Sequence, residues 1–388
     1  MTPQLDRRSF LRQTGLAAAA IAVTGCATNS SPGQAPAVTS TPTPSRKLNI
    51  AAIGFGGVGG SNVKNSADEN IVALCDLDLA RCAGTIKQFP KAALFTDFRK
   101  MLDQQKDIDA VIIATPSGLH PQHGILAAKA GRHVISEKPM AISLAAADAL
   151  VQACDDQQVH LFVVKQNRLN PPIVLLKRAI DSGRFGRIYM ANCTVRWTRP
   201  QDYYDQAPWR GTWEFDGGAF MNQASHYVDL VQWLVGPVES VMAKTATMAR
   251  RIEAEDSGAA VLKFRSGAIG VIEVTMLTFP RNLEGSITIL GETGSVKIGG
   301  TAVNKVEHWT FADYDDDDKL VEQANTSPPS VYGFGHEGYY RNVESVLRGD
   351  ARPDTDGRAG RKSLELILGI YESAKTGRDV PLPLRANI

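Results

Sequence analysis

Three groups of residues in this 388-residue chain have the types and spacing to do chemistry. The first is Gly54-Phe55-Gly56-Gly57-Val58-Gly59, a G-x-G-x-x-G run, with Asp76 lying 22 positions after Gly54. Glycine at these positions permits a tight turn (Gly54), close approach of backbone to a pyrophosphate (Gly56) and close packing of helix on strand (Gly59). The helix opening there offers free N–H groups and the positive end of its dipole to phosphates. Asp76 accepts hydrogen bonds from ribose hydroxyls and repels a 2′-phosphate, which favours NAD over NADP, although Arg81 stands nearby. The second group is Asn222 and His226. Four residues apart on a helix, they share a face and project into one cleft, and imidazole suits proton transfer near neutral pH. The third is Lys138, in Glu137-Lys138-Pro139. It closes a predicted strand, and strand C-termini are where open parallel sheets place ligands.

The elements that must hold these groups are readable in outline. Leu48–Ile53, Ile71–Cys75, Ala110–Ala114 and His133–Ser136 are short apolar runs that alternate with helical segments such as Gln122–Ala130. That alternation predicts a doubly wound parallel sheet, an N-terminal Rossmann domain over 47–167. Beyond it the texture changes. A helix (Pro172–Asp181) precedes strand candidates Ile188–Arg196, Ala259–Phe264, Ala268–Thr275, Ser286–Leu290 and Ser295–Ile298, with turns at Ser266-Gly267 and Gly291–Gly294. Residues 168–388 are therefore expected to form an α+β domain. Its mainly antiparallel open sheet would have one face under helices and the other free for a partner. Arg358–Thr376, with Ala359, Leu364, Ile367, Leu368 and Tyr371 at helical spacing, is expected to pack back as a helix. The fold class is α/β. The acidic run Asp313–Lys319 lacks a calcium-loop pattern and is expected to be solvated, and no metal site is expected.

Composition excludes other functions. A net charge of +1 gives no general field for nucleic acid, and no apolar stretch reaches the length of a membrane span. The first 46 residues stand apart. Asp6-Arg7-Arg8-Ser9-Phe10-Leu11-Arg12, the small-residue run Gly15–Val23, and Val23-Thr24-Gly25-Cys26 resemble a twin-arginine export signal ending in a lipoprotein cleavage box. They imply an exported protein, periplasmic or lipid-anchored at Cys26, the alternative being a cytoplasmic enzyme with a basic tail. Thr28–Ser45 reads as a tether with almost nothing to bury. Cys75, Cys82, Cys154 and Cys193 sit in apolar surroundings and are expected to be buried free thiols.

Ala114-Thr115-Pro116-Ser117-x-x-His120, followed by Ala130-Gly131-x-His133-Val134-x-x-Glu137-Lys138-Pro139, resembles the Gfo/Idh/MocA oxidoreductase family. The resemblance spans essentially all of 47–388. It implies that Thr115, Pro116, His120, Glu137 and Lys138 join Gly54 to Gly59 and Asp76 around NAD. It also implies that Lys138 sits beside the nicotinamide and the substrate hydroxyl, that the Lys–Pro bond is cis, that His226 accepts the proton, and that the chain forms a dimer or tetramer. Asn222 stands where the family more often has aspartate.

Val163–Arg168, Val195–Tyr204, Trp209–Trp213 and Asn222–His226 resemble one subgroup, the dehydrogenases that oxidise C3 of UDP-N-acetylglucosaminuronate. That resemblance marks Lys165, Asn167, Arg168, Arg196, Trp197, Arg199, Tyr204, Trp209, Arg210, Asn222, Gln223 and His226 as candidate substrate contacts. Lys165 and Arg168 can hold a carboxylate or phosphate. Trp197, Tyr203, Tyr204, Trp209 and Trp213 either stack on sugar or uracil faces or simply pack. A UDP-sugar substrate conflicts with export. The alternative is an exported sugar oxidoreductase, or a redox-assisted glycoside hydrolase, that recycles a tightly bound NAD in place.

Overall fold

The computed structural model describes residues 46–384. The export motif, Cys26 and the tether lie outside them. From Asn49 the chain alternates strand and helix: β1 (Asn49–Ile53), α1 (Val58–Asn65), β2 (Asn70–Cys75), α2 (Ala83–Gln88), β3 (Ala93–Phe95), α3 (Phe98–Gln104), β4 (Ala110–Ile113), α4 (His120–Lys129), β5 (His133–Ser136), α5 (Leu144–Asp156) and β6 (Leu161–Val163). The strands form a six-stranded sheet in the order β3-β2-β1-β4-β5-β6, with every pairing parallel. Both faces are covered by helices, so β1 and β4 are apolar almost throughout and nearly all their residues are buried. Strand order reverses between β1 and β4, and the crevice beyond their C-terminal ends is where such sheets bind ligands.

The second half contains α6 (Pro171–Asp181), β7 (Ile188–Arg196), α7 (Gln201–Asp205), α8 (Ser225–Val235), β8 (Val238–Ala246), β9 (Ser257–Phe264), β10 (Ile269–Thr275), β11 (Glu284–Gly291), β12 (Gly294–Gly299), β13 (Lys305–Phe311), α9 (Val321–Ala324), α10 (Gly335–Leu347), α11 (Gly357–Thr376) and β14 (Val380–Pro381). Eight strands pair in the order β13-β12-β11-β7-β10-β9-β8-β14. All neighbours are antiparallel except β7 and β10, which run parallel at the centre. Period-two alternation sorts the side chains. In β10, Gly270, Ile272 and Val274 are buried, while Ile269, Val271, Glu273 and Thr275 face the other way.

The fold class is the expected one, and β8 and β13 go beyond the expected strands. Their alternation is masked by polar residues, Glu239, Ser240 and Lys244 in one and Lys305, Glu307 and His308 in the other. The acidic run is a correction. It is not simply a solvated loop: Asp315 caps a 3-10 turn over Asp316–Leu320, and Asp318 is held by Arg184 at 2.7 Å and by the Trp309 indole at 2.7 Å. The four described cysteines are free and buried. α11 packs on α5 and on α8 and β8, so one helix spans both sheets.

Candidate active site

β1 ends at Gly54, whose φ of 77° is a left-handed conformation that glycine adopts without strain. A Cβ there would meet the Ala114 carbonyl at 2.8 Å and the Thr115 amide at 2.9 Å, so the turns after β1 and β4 touch. A Cβ at Gly59 would overlap the Gly54 carbonyl, which seats α1 directly on the turn. At Gly57 (φ 65°) an added Cβ would meet nothing within 4 Å. α1 has no side-chain cap, so its first N–H groups face that open space unclaimed. Asp76 accepts from the Phe55 amide at 3.0 Å and the Asp78 amide at 3.0 Å, which fixes its carboxylate at the end of β2. Backbone donors, space and a placed carboxylate fit a dinucleotide.

Three expected cofactor contacts also have partners inside the protein. Phe55 is fully buried and serves through its backbone. His120 is buried, with its ring nitrogens 2.7 Å from the Pro139 and Thr115 carbonyls, so it staples two loops together rather than facing the crevice. Glu137 accepts from Asn62 of α1 at 2.7 Å and from the Lys138 amide at 3.0 Å, anchoring helix to loop. Thr115 contacts His123 at 3.0 Å, and Pro116 leads into the turn at 117–119.

The loop after β5 delivers Lys138, and the Lys138–Pro139 bond is cis. Lys138 Nζ donates to the Asn222 carbonyl at 3.1 Å and to Asn222 Oδ1 at 3.3 Å. Asn222 and His226 do not share one continuous α-helix, which corrects the spacing argument. Residues 219–223 form a π-helical turn, Ala224 breaks it, and His226 lies in the first turn of α8. They converge all the same, because the wider turn swings Asn222 toward Lys138 while His226 Nε2 meets Gln166 Nε2 at 3.1 Å. The π-turn is held from behind. Tyr371 of α11 accepts from the Gly218 and Met221 amides and donates to Glu255 at 3.0 Å, and Glu255 also accepts from the Phe220 amide at 2.8 Å. Burial pushes the Glu255 carboxyl up to about 7.

The expected substrate residues divide. Arg199, Arg210 and Trp209 gather around Tyr203: Arg210 donates to its hydroxyl at 2.7 Å, and the guanidinium carbons of Arg210 and Arg199 lie 4.4 and 5.4 Å from its ring. Arg210 also covers Trp209 at 4.7 Å. Gln223 reaches the same hydroxyl at 3.5 Å. Neither arginine is paired with a carboxylate within 4.0 Å among the described residues. Asn167 is buried with both amide atoms unpartnered.

The remaining candidates have partners within the protein. Arg168 is bidentate to Asp229 at 2.7 Å on both arms, and Lys165 binds Ser363 at 2.8 Å with Asp229 at 3.6 Å, so both cations are satisfied inside the protein. Arg196 pairs with Glu273 at 2.7 Å and Glu284 at 3.0 Å on the open face of the second sheet, because alternation along β7 sends it away from the helices. Trp197 is core: its indole donates to the Thr301 carbonyl at 3.1 Å and its ring meets Tyr227 edge-on. Tyr204 is buried against Tyr203. Sequence reasoning did not single out Gln166, Asp216 or Glu255, and it left Tyr203 open between stacking and packing. Gln166 and Asp216 lie within or beside the quoted motifs, whereas nothing local flags Glu255.

Burial pushes Lys138 below the ordinary lysine range, against the pull of Glu137 and Asp216. Burial also pushes His226 well below 6.5, and the positive charges of Lys138 and Lys165 add to this. His336, at the start of α10, is lowered by burial too and lies within reach of Glu137 and Lys138.

Two family models match the chain: an oxidoreductase family with an NAD-binding Rossmann fold over residues 48–165, and a GFO/IDH/MocA C-terminal domain over 173–297. The crystal structure of the WlbA dehydrogenase from Bordetella pertussis, in complex with NADH and UDP-GlcNAcA, is 54% identical. It superposes with a TM-score of 0.85 and covers 89% of this chain and 100% of its own. The WlbA enzyme from Chromobacterium violaceum, in complex with the same two molecules, is 51% identical with a TM-score of 0.85, over 90% of this chain and 99% of its own. A D-apiose dehydrogenase from Paraburkholderia graminis is 28% identical over 327 residues, 80% of this chain and 83% of that one.

Because burial disfavours imidazolium, more acid is needed to charge His226 than to charge an exposed histidine. In an NMR titration of the 15N-labelled protein its ring is expected to stay neutral from pH 6.5 upward, with a midpoint clearly below 6.5. A midpoint at or above that value would contradict the buried geometry.

Proposed function

This chain belongs to the Gfo/Idh/MocA oxidoreductase family and is an NAD-dependent sugar dehydrogenase, and from that premise we propose that it oxidises C3 of UDP-N-acetylglucosaminuronate or a close relative. The observation that carries this reading is the pair Arg199 and Arg210, two guanidiniums near Lys138 that have no carboxylate partner among the described residues. A neutral hexose gives such a cluster nothing to neutralise. A uronate carboxylate or a pyrophosphate does, and arginine binds either through two parallel hydrogen bonds. The 54% and 51% likeness to proteins crystallised with UDP-GlcNAcA points the same way.

In this reading bound NAD supplies the hydride acceptor at its nicotinamide. Gly54 to Gly59 and the N-terminus of α1 hold the pyrophosphate, and Asp76 takes the ribose. Two of the three N–H donors of Lys138 go to Asn222, which leaves one for the sugar hydroxyl. There the ammonium stabilises the oxygen as it loses its proton. His226, held neutral by burial, receives that proton at Nε2 once the substrate hydroxyl replaces the Gln166 NH2 group on that lone pair. Trp209 and Tyr203 present ring faces for stacking beside the arginines.

Purified protein given NAD and UDP-N-acetylglucosaminuronate should develop the reduced-nicotinamide absorbance near ~340 nm. Lys138→Ala should lower kcat by roughly 100-fold or more while NADH binding, read by fluorescence, stays at the parental level. A response to unactivated hexoses or glycosides alone would favour the second reading, in which NAD stays bound and is recycled in place. The twin-arginine and lipobox resemblance of residues 6–26 supports that second reading.

Export is proposed on the same residues. Fusing the first 45 residues to a reporter should send it across the membrane, and Arg7→Lys together with Arg8→Lys should abolish this. Self-association is proposed through the open face of the eight-stranded sheet, where Met190, Met242, Val261 and Ile269 are exposed. Light scattering should give a dimer or tetramer mass, reduced by Val261→Lys with Ile269→Lys.

A further inference from the structure

Asp216 and Lys138 carry opposite charges in one wall of the cleft and never touch. Asp216 is only 1% exposed. Its Oδ2 accepts from the Gly211 amide at 2.7 Å, and its Oδ1 accepts from Asn222 Nδ2. Among the described residues no cationic nitrogen lies within the 4.0 Å of a direct ion pair. Among the described residues Lys138 Nζ in turn bonds only to oxygens of Asn222. A single amide therefore stands between a buried anion and the reactive cation.

We propose that Asp216 is a positioning residue for the reaction, acting through Asn222 to fix the amide and to supply the counter-charge of Lys138 at one side chain's remove. The inference rests on the reading of Lys138 as the group beside the reacting oxygen. A primary amide can sit either way round, and only its partners decide which. A carboxylate can only accept, so it takes the Asn222 NH2 group. An ammonium can only donate, so it takes the Asn222 oxygen. The amide dipole then lies head to tail between the two charges, the orientation both charges stabilise. A carboxylate in direct contact would attract the ammonium more strongly. Set back behind the amide, it attracts the charge more weakly, since Coulomb energy falls with distance, and leaves a donor for substrate.

The other charges around Lys138 do not replace it. Glu137, on the same loop, already serves Asn62 and a backbone amide. Arg199, Arg210 and Lys165 are cationic and oppose the ammonium. The neighbouring imidazoles, His120, His226 and His336, are all held toward neutrality by burial. Asp216 is thus the anion whose effect passes through the group in contact with Nζ.

The test is a charge swap in the full chain, with Asp216→Asn, Asn222→Asp and the double variant compared. NADH binding and thermal melting report folding for each. Asp216→Asn is expected to lower kcat roughly 10- to 100-fold with little change in KM, because the amide loses its fixed orientation and the cation one of its two nearby carboxylates. Asn222→Asp sets two carboxylates in contact, which must share a proton, and is expected to lose at least as much. The double variant restores a single negative charge and should recover well above either single variant. A double variant no better than the singles, or an Asp216→Asn protein with parental kcat, overturns the proposal.

A second readout needs no substrate. Competitive acetylation of Lys138 by acetic anhydride, followed by peptide mass spectrometry, reports how its amine deprotonates with pH. In Asp216→Asn the curve should move to lower pH, because the ammonium has lost one of the two carboxylates that favour its charge, Glu137 being the other. An unmoved curve overturns the proposal even if the sugar tested proves not to be the substrate.

Discussion

The buried ion pair between Arg168 and Asp229 is the interaction on which the geometry of the cleft depends. Arg168 follows the last strand of the cofactor sheet, and Asp229 lies three residues after His226 on the central helix of the second domain. Burial pushes the Asp229 carboxyl up, but Lys165 and Arg168 together hold it below the ordinary aspartate range. Lys165 also binds Ser363, so a third element from the far end of the chain joins the same knot. Removing one member would strand a charge in the interior, typically about 3–5 kcal/mol. The pair fixes how α8 meets the cofactor domain, and His226 is carried with it.

Around that fixed point the protein sorts its cations by what they are for. Lys165, Arg168 and Arg196 have carboxylates in contact and are structural. Among the described residues Lys138, Arg199 and Arg210 do not, and they line the proposed sugar site. An enzyme that removes a proton from a hydroxyl needs positive charge at the oxygen, and that charge is available only if nothing else neutralises it. The NAD-binding half follows the complementary logic, with its anion site built from backbone N–H groups and glycine space.

The cofactor half was largely legible in the chain. Its sheet is buried on both faces, so its strands read as apolar runs, and its glycines are required by contacts only a few residues away. The second half was legible in outline, but its polar residues were not, for two reasons. A one-residue alternation decides which face a side chain takes, and it placed Arg196 on the open sheet although Arg199 reaches the cleft. Partner identity decides whether a cation is free, and Asp229 claims Arg168 from 61 positions away. The Asn222–His226 spacing suggested convergence and the structure has it, through a π-turn rather than the single α-helix that the spacing assumed. Glu255 and Tyr371 were invisible, because they act on backbone amides and carry no motif.

Tyr371 also bears on how the enzyme comes into being. It braces the turn that carries Asn222 from 150 residues downstream, on the last long helix of the fold. A ribosome adding roughly 5–20 residues per second needs on the order of ten seconds to cover that distance. Until α11 docks, the turn that carries Asn222 lacks the hydroxyl that holds its Gly218 and Met221 amides. The substrate side of the cleft is therefore finished by a contact between segments 150 residues apart, and it is complete only when α11 is docked.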